Sequence, residues 1–201
     1  MSSNIARLLL AFFFAMTTLA LPTPSTTSDL NTVPLNGLPA PGALSLEYIT
    51  LGVGTQNYSC SAAGATPTAI GAVASLYDAS LLKPLAKSSL IPSFAAVAYS
   101  THTWFNLPTL GHHFFSAAGV PTFDLESHGF LSAKKVASVP APSGSINASV
   151  PWLFLEDDGR EVSRNLKAVY RVETAGGSAP ATCSAAGVIE VPYAAEYWFY
   201  G

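Results

Sequence analysis

Four histidines and two carboxylates form the first group in this sequence whose side chains could do chemistry. Within 27 residues they are His102, His112, His113, Asp124, Glu126 and His128. Imidazole and carboxylate groups together can bind zinc, copper or non-heme iron. Adjacent side chains of a strand point to opposite faces, so His112 and His113 can hardly share one metal ion. The ligands of a metal site would be His102, His113 and Asp124, although no known ligand spacing is met. Otherwise one histidine is packed and the others are exposed.

Three tryptophans form a second group, because flat aromatic rings can stack on a sugar or another ligand. They are Trp104, Trp152 and Trp198. The alternative is that they pack in the core, and we favour it for Trp152 and Trp198 because both lie within apolar runs.

Known catalytic motifs are missing from the sequence. There is no G-x-S-x-G nucleophile elbow, no H-E-x-x-H pair and no P-loop. The stretch GVGTQN at 52–57 resembles part of a dinucleotide-binding fingerprint, but Asn57 replaces the third glycine and a strand-like sequence follows. We interpret it as a tight turn between two strands. No cofactor is therefore predicted, apart from the metal ion considered above.

The composition excludes an electrostatic nucleic-acid binder. Only 10% of the residues are charged, 49% are apolar, and the formal net charge is −3. Nucleic-acid binding needs clustered basic side chains that neutralise phosphates. The apolar content is also too high for a disordered chain. We expect a folded domain with a sizeable core and no nucleic-acid partner.

The N-terminus has the features of a secretory signal peptide. Arg7 precedes an apolar run over 8–16, and Ala20 fits a cleavage site. The run is too short to span a bilayer, and no later stretch is predicted to span one. We expect a secreted protein of the extracellular space or cell wall. Its predicted parts are a signal peptide (1–20), a flexible lead rich in Pro, Ser and Thr (21–42) and one β domain (43–201).

Secretion gives meaning to two cysteines and two asparagines. In an oxidising compartment the predicted pairing is a disulfide between Cys60 and Cys183, the one intramolecular connectivity that is possible. A reactive thiol or a metal ligand is the alternative that we do not favour, because no C-x-x-C motif is present. Asn57 and Asn147 each begin an N-x-S sequence and are predicted N-glycosylation sites.

Short apolar runs separated by glycine and proline predict an all-β domain. Nine runs fit strands: 44–51, 55–61, 69–77, 111–115, 121–125, 134–139, 150–156, 165–173 and 193–200. The last is apolar on both faces apart from Glu196, which predicts a central, buried strand. Roughly nine strands in one domain predict a β-sandwich or a barrel, with a short helical or irregular insertion near 80–108.

Six blocks of the sequence carry a family resemblance. They are LGVGTQNYSC, AIGAVASLYDAS, LGHHFF with GVPTFDL, VPWLFLE, VYRVETAGGSAPATC and VPYAAEYWFYG. Over residues 44–201 the chain resembles a secreted domain-of-unknown-function family of fungi and bacteria, whose fungal members are often automatically named malate dehydrogenase. The chain departs from the bacterial pattern at Phe123, where tryptophan is usual, and in a longer insertion over 80–108.

The resemblance implies site residues but no activity. The family's motif of glycine, histidine and an aromatic matches Gly111, His113 and Phe114, and its cysteines match Cys60 and Cys183. The residues do not support a genuine NAD-dependent malate dehydrogenase, because hydride transfer needs a nicotinamide site and the GVGTQN stretch does not provide one.

Two classes of function remain open from the sequence. We expect a binding or interaction module, whose partner could be a cell-wall polysaccharide or another surface ligand. The alternative is a metal-dependent or hydrolytic secreted enzyme that uses the region of His102, His112, His113 and Asp124. A purely structural secreted protein is the third possibility.

Overall fold

Eight antiparallel strands close into a barrel. The computed structural model describes residues 33–81, 99, 106–142, 145 and 148–201. Its strands are β1 (Leu46–Cys60), β2 (Thr68–Asp78), β3 (Thr109–Phe115), β4 (Pro121–Asp124), β5 (Phe130–Val139), β6 (Trp152–Asp157), β7 (Ala168–Gly176) and β8 (Gly187–Tyr200). Each strand pairs with the next along the chain, and β8 returns to pair with β1. The predicted all-β class is confirmed, and of the two predicted architectures the barrel is correct.

The first strand explains why eight strands are found where nine were expected. The predicted strands 44–51 and 55–61 are one continuous strand, β1, so the tight turn predicted for 52–57 was wrong. The glycines there serve close packing instead. A Cβ at Gly52 would collide with the ring of Tyr197, and one at Gly54 would overlap the carbonyl oxygen of Val73. Glycine inside a strand marks such an approach of neighbouring groups as well as it marks a turn.

The two ends of the barrel differ in their filling. At one end, which we call the closed end, large apolar side chains fill the interior. They include Leu76, Leu125, Leu131, Leu166 and Phe199, all buried in one cluster. At the other end, the open end, lie the connections that follow β1, β3, β5 and β7. Eight-stranded barrels are just wide enough either to be filled by side chains or to hold one small ligand, and here both conditions occur along one axis.

A second apolar cluster lies on the outside of the barrel. The chain before β1 crosses this face and buries Val33 and Leu38 against the outer side chains of β6, β7 and β8. The Tyr170 hydroxyl donates a hydrogen bond of 2.7 Å to the Pro39 carbonyl oxygen. The lead expected to be flexible over 21–42 is therefore packed from residue 33 on, because its leucines and valine cover the apolar outer wall. With this cover on the outside and the core inside, both faces of β8 are buried over 193–200, as the sequence predicted.

One disulfide lies at the open end. Cys60, the last residue of β1, is bonded to Cys183 in the connection between β7 and β8, and both are buried. The predicted pairing is confirmed. Most of the insertion expected near 80–108 lies outside the described residues. Within the described ranges, no helix is long and apolar enough to cross a membrane.

Candidate functional site

A cavity of about 430 Å³ occupies the open end of the barrel. Its walls are apolar, with Phe115, Phe123, Leu153 and Leu155 among the lining residues. The closed end is filled by leucines, whereas glycine, alanine and proline residues border the cavity at the open end. They are Ala69, Gly119, Pro121 and Pro151. This exchange of large for small side chains leaves room inside the barrel. The volume is in the range of about 300–1,000 Å³ that is typical of small-molecule pockets.

The cavity also contains a buried positive charge. Arg171 projects inward from β7 and is only 8% exposed. One guanidinium nitrogen, Nη2, donates to the Pro151 carbonyl oxygen at 2.9 Å, while Nε has no hydrogen-bond partner. Among the described residues, no carboxylate lines the cavity and no ion pair includes Arg171. A buried charge is normally paired, so this guanidinium lacks the counter-ion that its position requires.

Further hydrogen-bond donors border the cavity near Arg171. The amide nitrogen of Gln56, Nε2, is buried and has no partner. Lys135 is exposed and lies among the lining residues of β5. The three side chains come from β1, β5 and β7, so only the closed barrel brings them together. Together they can neutralise and orient an anion, such as a carboxylate.

His113 is the buried titratable group of the inner wall. It is 4% exposed, and its ring stacks on Phe123 with centroids 4.2 Å apart and an angle of 11° between the planes. Nδ1 donates to the Thr122 carbonyl oxygen at 2.9 Å. Burial lowers the pKa of His113 to about 4, the Thr122 hydrogen bond works against this fall, and the charge of Arg171 adds to it. The imidazole is therefore neutral at neutral pH.

Two tyrosine hydroxyls meet beside these groups. The hydroxyls of Tyr193 and Tyr197, both on β8, are 2.8 Å apart and share a hydrogen bond. Burial raises the pKa of Tyr197, while the nearby charge of Arg171 opposes this rise. Both phenols stay protonated at neutral pH, so neither supplies the negative charge that Arg171 lacks.

A second buried ionisable group lies on the opposite side of the wall. Glu196 projects outward from β8, is 3% exposed, and accepts a hydrogen bond of 2.9 Å from Nε1 of Trp198 through Oε2. Its other oxygen, Oε1, has no partner. Burial, opposed by the hydrogen bond from Trp198 and aided by the charge of Glu173, raises the pKa of Glu196 to about 8. Burial likewise raises the pKa of Glu173 to about 7.

The structure separates the residues proposed as metal ligands. His113 pairs with Phe123 across β3 and β4 and faces inward, whereas Asp124 pairs with His112 and therefore faces outward. Asp124 accepts a hydrogen bond from the backbone nitrogen of Glu126. His102 lies outside the described residues. No group of three possible metal ligands occurs in the part of the chain that the structure describes.

The aromatic and glycosylation candidates are also spread apart. Trp152 and Trp198 are 2% and 0% exposed in the outer cluster, where neither ring is open to a ligand, because the chain before β1 covers them. Asn57 lies on the outer face of β1, half-buried, and accepts a hydrogen bond from Thr55. Trp104 and Asn147 lie outside the described residues.

Sequence reasoning did not single out Arg171, Lys135 or Gln56 as site residues. Arg171 alternates with Tyr170 and Val172 along a strand, a pattern that normally indicates a solvent-facing side chain. One signal was available, because Val169 lies on the same face of the strand as Arg171. A face that carries both valine and arginine also fits the interior of a barrel whose one end is polar.

The fold and the cavity define the class of this protein as an up-and-down β-barrel with a basic internal cavity. The family described as "Protein of unknown function (DUF3455)" matches residues 39–201. The chain therefore belongs to this family. No curated protein and no solved structure matches it.

Proposed function

We propose that this chain is a secreted binding protein that holds a small organic anion in the open end of its barrel. The observation that carries the proposal is the buried, unpaired guanidinium of Arg171. Arginine cannot lose its proton in a protein, so burial cannot neutralise it as it neutralises a carboxyl or an imidazole. An anionic ligand would supply the missing counter-ion and accept hydrogen bonds from Nε.

The cavity supports a ligand with an apolar body. Phe115, Phe123 and Leu153 offer flat and branched apolar surface beside the basic group. A carboxylate attached to an aromatic ring or a short hydrocarbon chain satisfies both parts. Inorganic phosphate or sulfate would leave the apolar walls uncovered. A polysaccharide partner, predicted from the tryptophans, has less support, because Trp152 and Trp198 are buried.

Secretion is part of the proposal. The disulfide between Cys60 and Cys183 is typical of an oxidising compartment. The sequence of residues 1–20 has the order of charge, apolar run and small residues that marks a signal peptide. Both observations support an extracellular protein that meets its ligand outside the cell or in the cell wall.

The enzyme alternative has weaker support. A metal site of His102, His113 and Asp124 would need Asp124 on the inner wall, and its strand register directs it outward. A dehydrogenase would need a glycine-rich loop that cradles a pyrophosphate. Here Gly52 and Gly54 lie inside β1 and pair with β2 and β8.

Calorimetry with matched anionic and neutral ligands tests the proposal. The probes are benzoate, phenylacetate and hexanoate, each compared with its amide, and the protein is the natively secreted chain with its disulfide intact. We expect the carboxylates to bind and the amides to bind far more weakly. Arg171→Met should weaken carboxylate binding about 100-fold or more, because it removes the charge-assisted hydrogen bonds.

The control is Arg164→Met, which removes the same charge from an exposed side chain that lies over the ring of Phe130. It should leave affinity within about twofold of the parent protein. The proposal is overturned if no carboxylate binds at about 10 mM, or if Arg171→Met binds as well as the parent protein.

A further inference from the structure

The tautomer of His113 restricts what the ligand can be. A carbonyl oxygen can only accept a hydrogen bond, so the 2.9 Å contact between Nδ1 and Thr122 requires a proton on Nδ1. In a neutral imidazole the other ring nitrogen then carries a lone pair. His113 lines the cavity, and Nε2 is therefore the hydrogen-bond acceptor that it can offer to a ligand.

Two features keep the ring in this state. His113 is buried, and the positive charge of Arg171 acts on it. Both disfavour a second proton on the ring. The site thus combines donors, on Arg171, Gln56 and Lys135, with an acceptor held in one fixed tautomer.

We infer that the ligand is a hydroxylated carboxylic acid, whose carboxylate is bound by Arg171 and whose hydroxyl group donates to Nε2 of His113. This inference rests on the proposed function and adds to it the second polar group of the ligand. A ligand with acceptors alone would place its lone pairs against that of Nε2, so a dicarboxylate is disfavoured. A hydroxyl group on an aromatic or short aliphatic acid satisfies Nε2 and leaves the apolar walls covered.

The size of the expected preference follows from desolvation. A buried acceptor that loses water and gains no donor is penalised, so an acid that lacks the hydroxyl should bind about 10-fold to 100-fold more weakly. The preference for a hydroxylated acid should depend on where the hydroxyl group is attached as well as on its presence. Among the three hydroxybenzoate isomers we therefore expect one to be bound best.

Calorimetry with paired ligands tests this inference. The pairs are 2-, 3- and 4-hydroxybenzoate against benzoate, and mandelate against phenylacetate. The protein is the natively secreted chain. At least one hydroxylated acid should bind at least about tenfold more tightly than its parent acid. In His113→Phe, which keeps a ring on Phe123 and removes the acceptor, this preference should disappear, so that the hydroxylated acid and its parent acid bind within about threefold of each other.

A second measurement does not depend on the variant. Nitrogen-15 NMR of the histidine rings reports the tautomer directly, and it should find the proton of His113 on Nδ1 and a change at Nε2 when the hydroxylated acid binds. A proton on Nε2 overturns the inference, and so does equal binding of both acids of every pair. In the latter case the proposed function stands, since the carboxylates still bind. Failure of all the acids to bind overturns the proposed function itself.

Discussion

Arg171 on the inside of the barrel and Glu196 on the outside are two buried ionisable groups that respond differently to burial. They come from adjacent strands, and their registers differ by one residue: Arg171 pairs with Tyr197, and Val172 pairs with Glu196. Their side chains therefore project from opposite faces of the same pair of strands. Both have a polar atom without a partner. The wall separates a basic interior from an acidic outer layer.

The two groups differ in whether a change of protonation can make them neutral. Glu196 can keep one, and burial raises its pKa to about 8, so the carboxyl is neutral over most of the physiological range. Arg171 has no neutral form that a protein can use. Burial can therefore neutralise the ionisable group of the outer layer, whereas the guanidinium inside the barrel stays charged. A buried ionisable group that cannot become neutral is thus a better indicator of a binding site than one that becomes neutral through a shifted pKa.

The largest expected effect comes from placing a cation on the outer wall. At pH 7 the free energy of unfolding of Glu196→Lys should be about 5 kcal/mol lower than that of Glu196→Met, because the two side chains are similar in length and differ in charge. Both variants remove the acceptor of Trp198, so that loss cancels. The measurement is equilibrium urea unfolding with the disulfide intact.

The matched control for this comparison is Glu190, an exposed residue of the same strand. Glu190→Lys and Glu190→Met should differ by less than about 0.5 kcal/mol. Equal stabilities of the two Glu196 variants would mean that the outer wall tolerates a charge, and the contrast with the interior would fail.

An intermediate effect is expected in the pH dependence of stability. The folded pKa of Glu196 is raised from 4.5 to about 8, so its contribution is fully present below pH 4.5 and is lost as the pH rises to about 8. Glu196→Gln should remove this loss and exceed the parent protein by on the order of 3 kcal/mol at pH 9. Glu173, whose pKa is raised to about 7, keeps a smaller loss of the same sign in the variant.

His113 should act in the opposite direction. Its folded pKa is lowered from 6.5 to about 4, so its contribution is present above pH 6.5 and is lost as the pH falls toward 4. Urea midpoints measured from pH 4 to 9 should therefore report two opposing trends in the parent protein, and Glu196→Gln should remove the loss between about pH 4.5 and 8 while the loss from His113 below pH 6.5 remains. Parallel curves for the two proteins would contradict the assignment.

The smallest effect is expected for Arg171 in the absence of ligand. Arg171→Met should change the free energy of unfolding by no more than about 1 kcal/mol, since the loss of the hydrogen bond to Pro151 is offset by the removal of an unpaired charge. Thermal and urea unfolding of the ligand-free protein measure this. A loss above about 3 kcal/mol would identify Arg171 as a structural residue and would weaken its role as a ligand group.

Much of the fold was readable from the sequence, because strand alternation and turn residues are local signals. The sequence of residues 193–200 predicted burial on both faces of the last strand. The error at 52–57 has a physical reason: glycine provides both turns and close packing, and the sequence does not say which is needed. The partners that required glycine, Tyr197 and Val73, are distant in the chain or are backbone atoms.

The site was much less accessible to sequence reasoning. Its donors come from three strands, and only barrel closure directs them to one cavity. His113 was noticed for its residue type, but the proposed partner, Asp124, lies on the other side of the sheet. Arg171 was not predicted as a site residue, because alternation distinguishes two faces of a strand without saying which faces water.

Closure of the barrel by its first and last strands also has a consequence for how the chain folds. β1 and β8 are the two longest strands and pair along nearly their whole length. Until β8 has been synthesised, β1 has one unpaired edge, long and largely apolar, that can capture a strand of another molecule. The contacts that complete the barrel join residues more than a hundred positions apart, which makes folding slow. During synthesis this edge of β1 waits longest for its partner strand, because β8 is the last strand of the barrel.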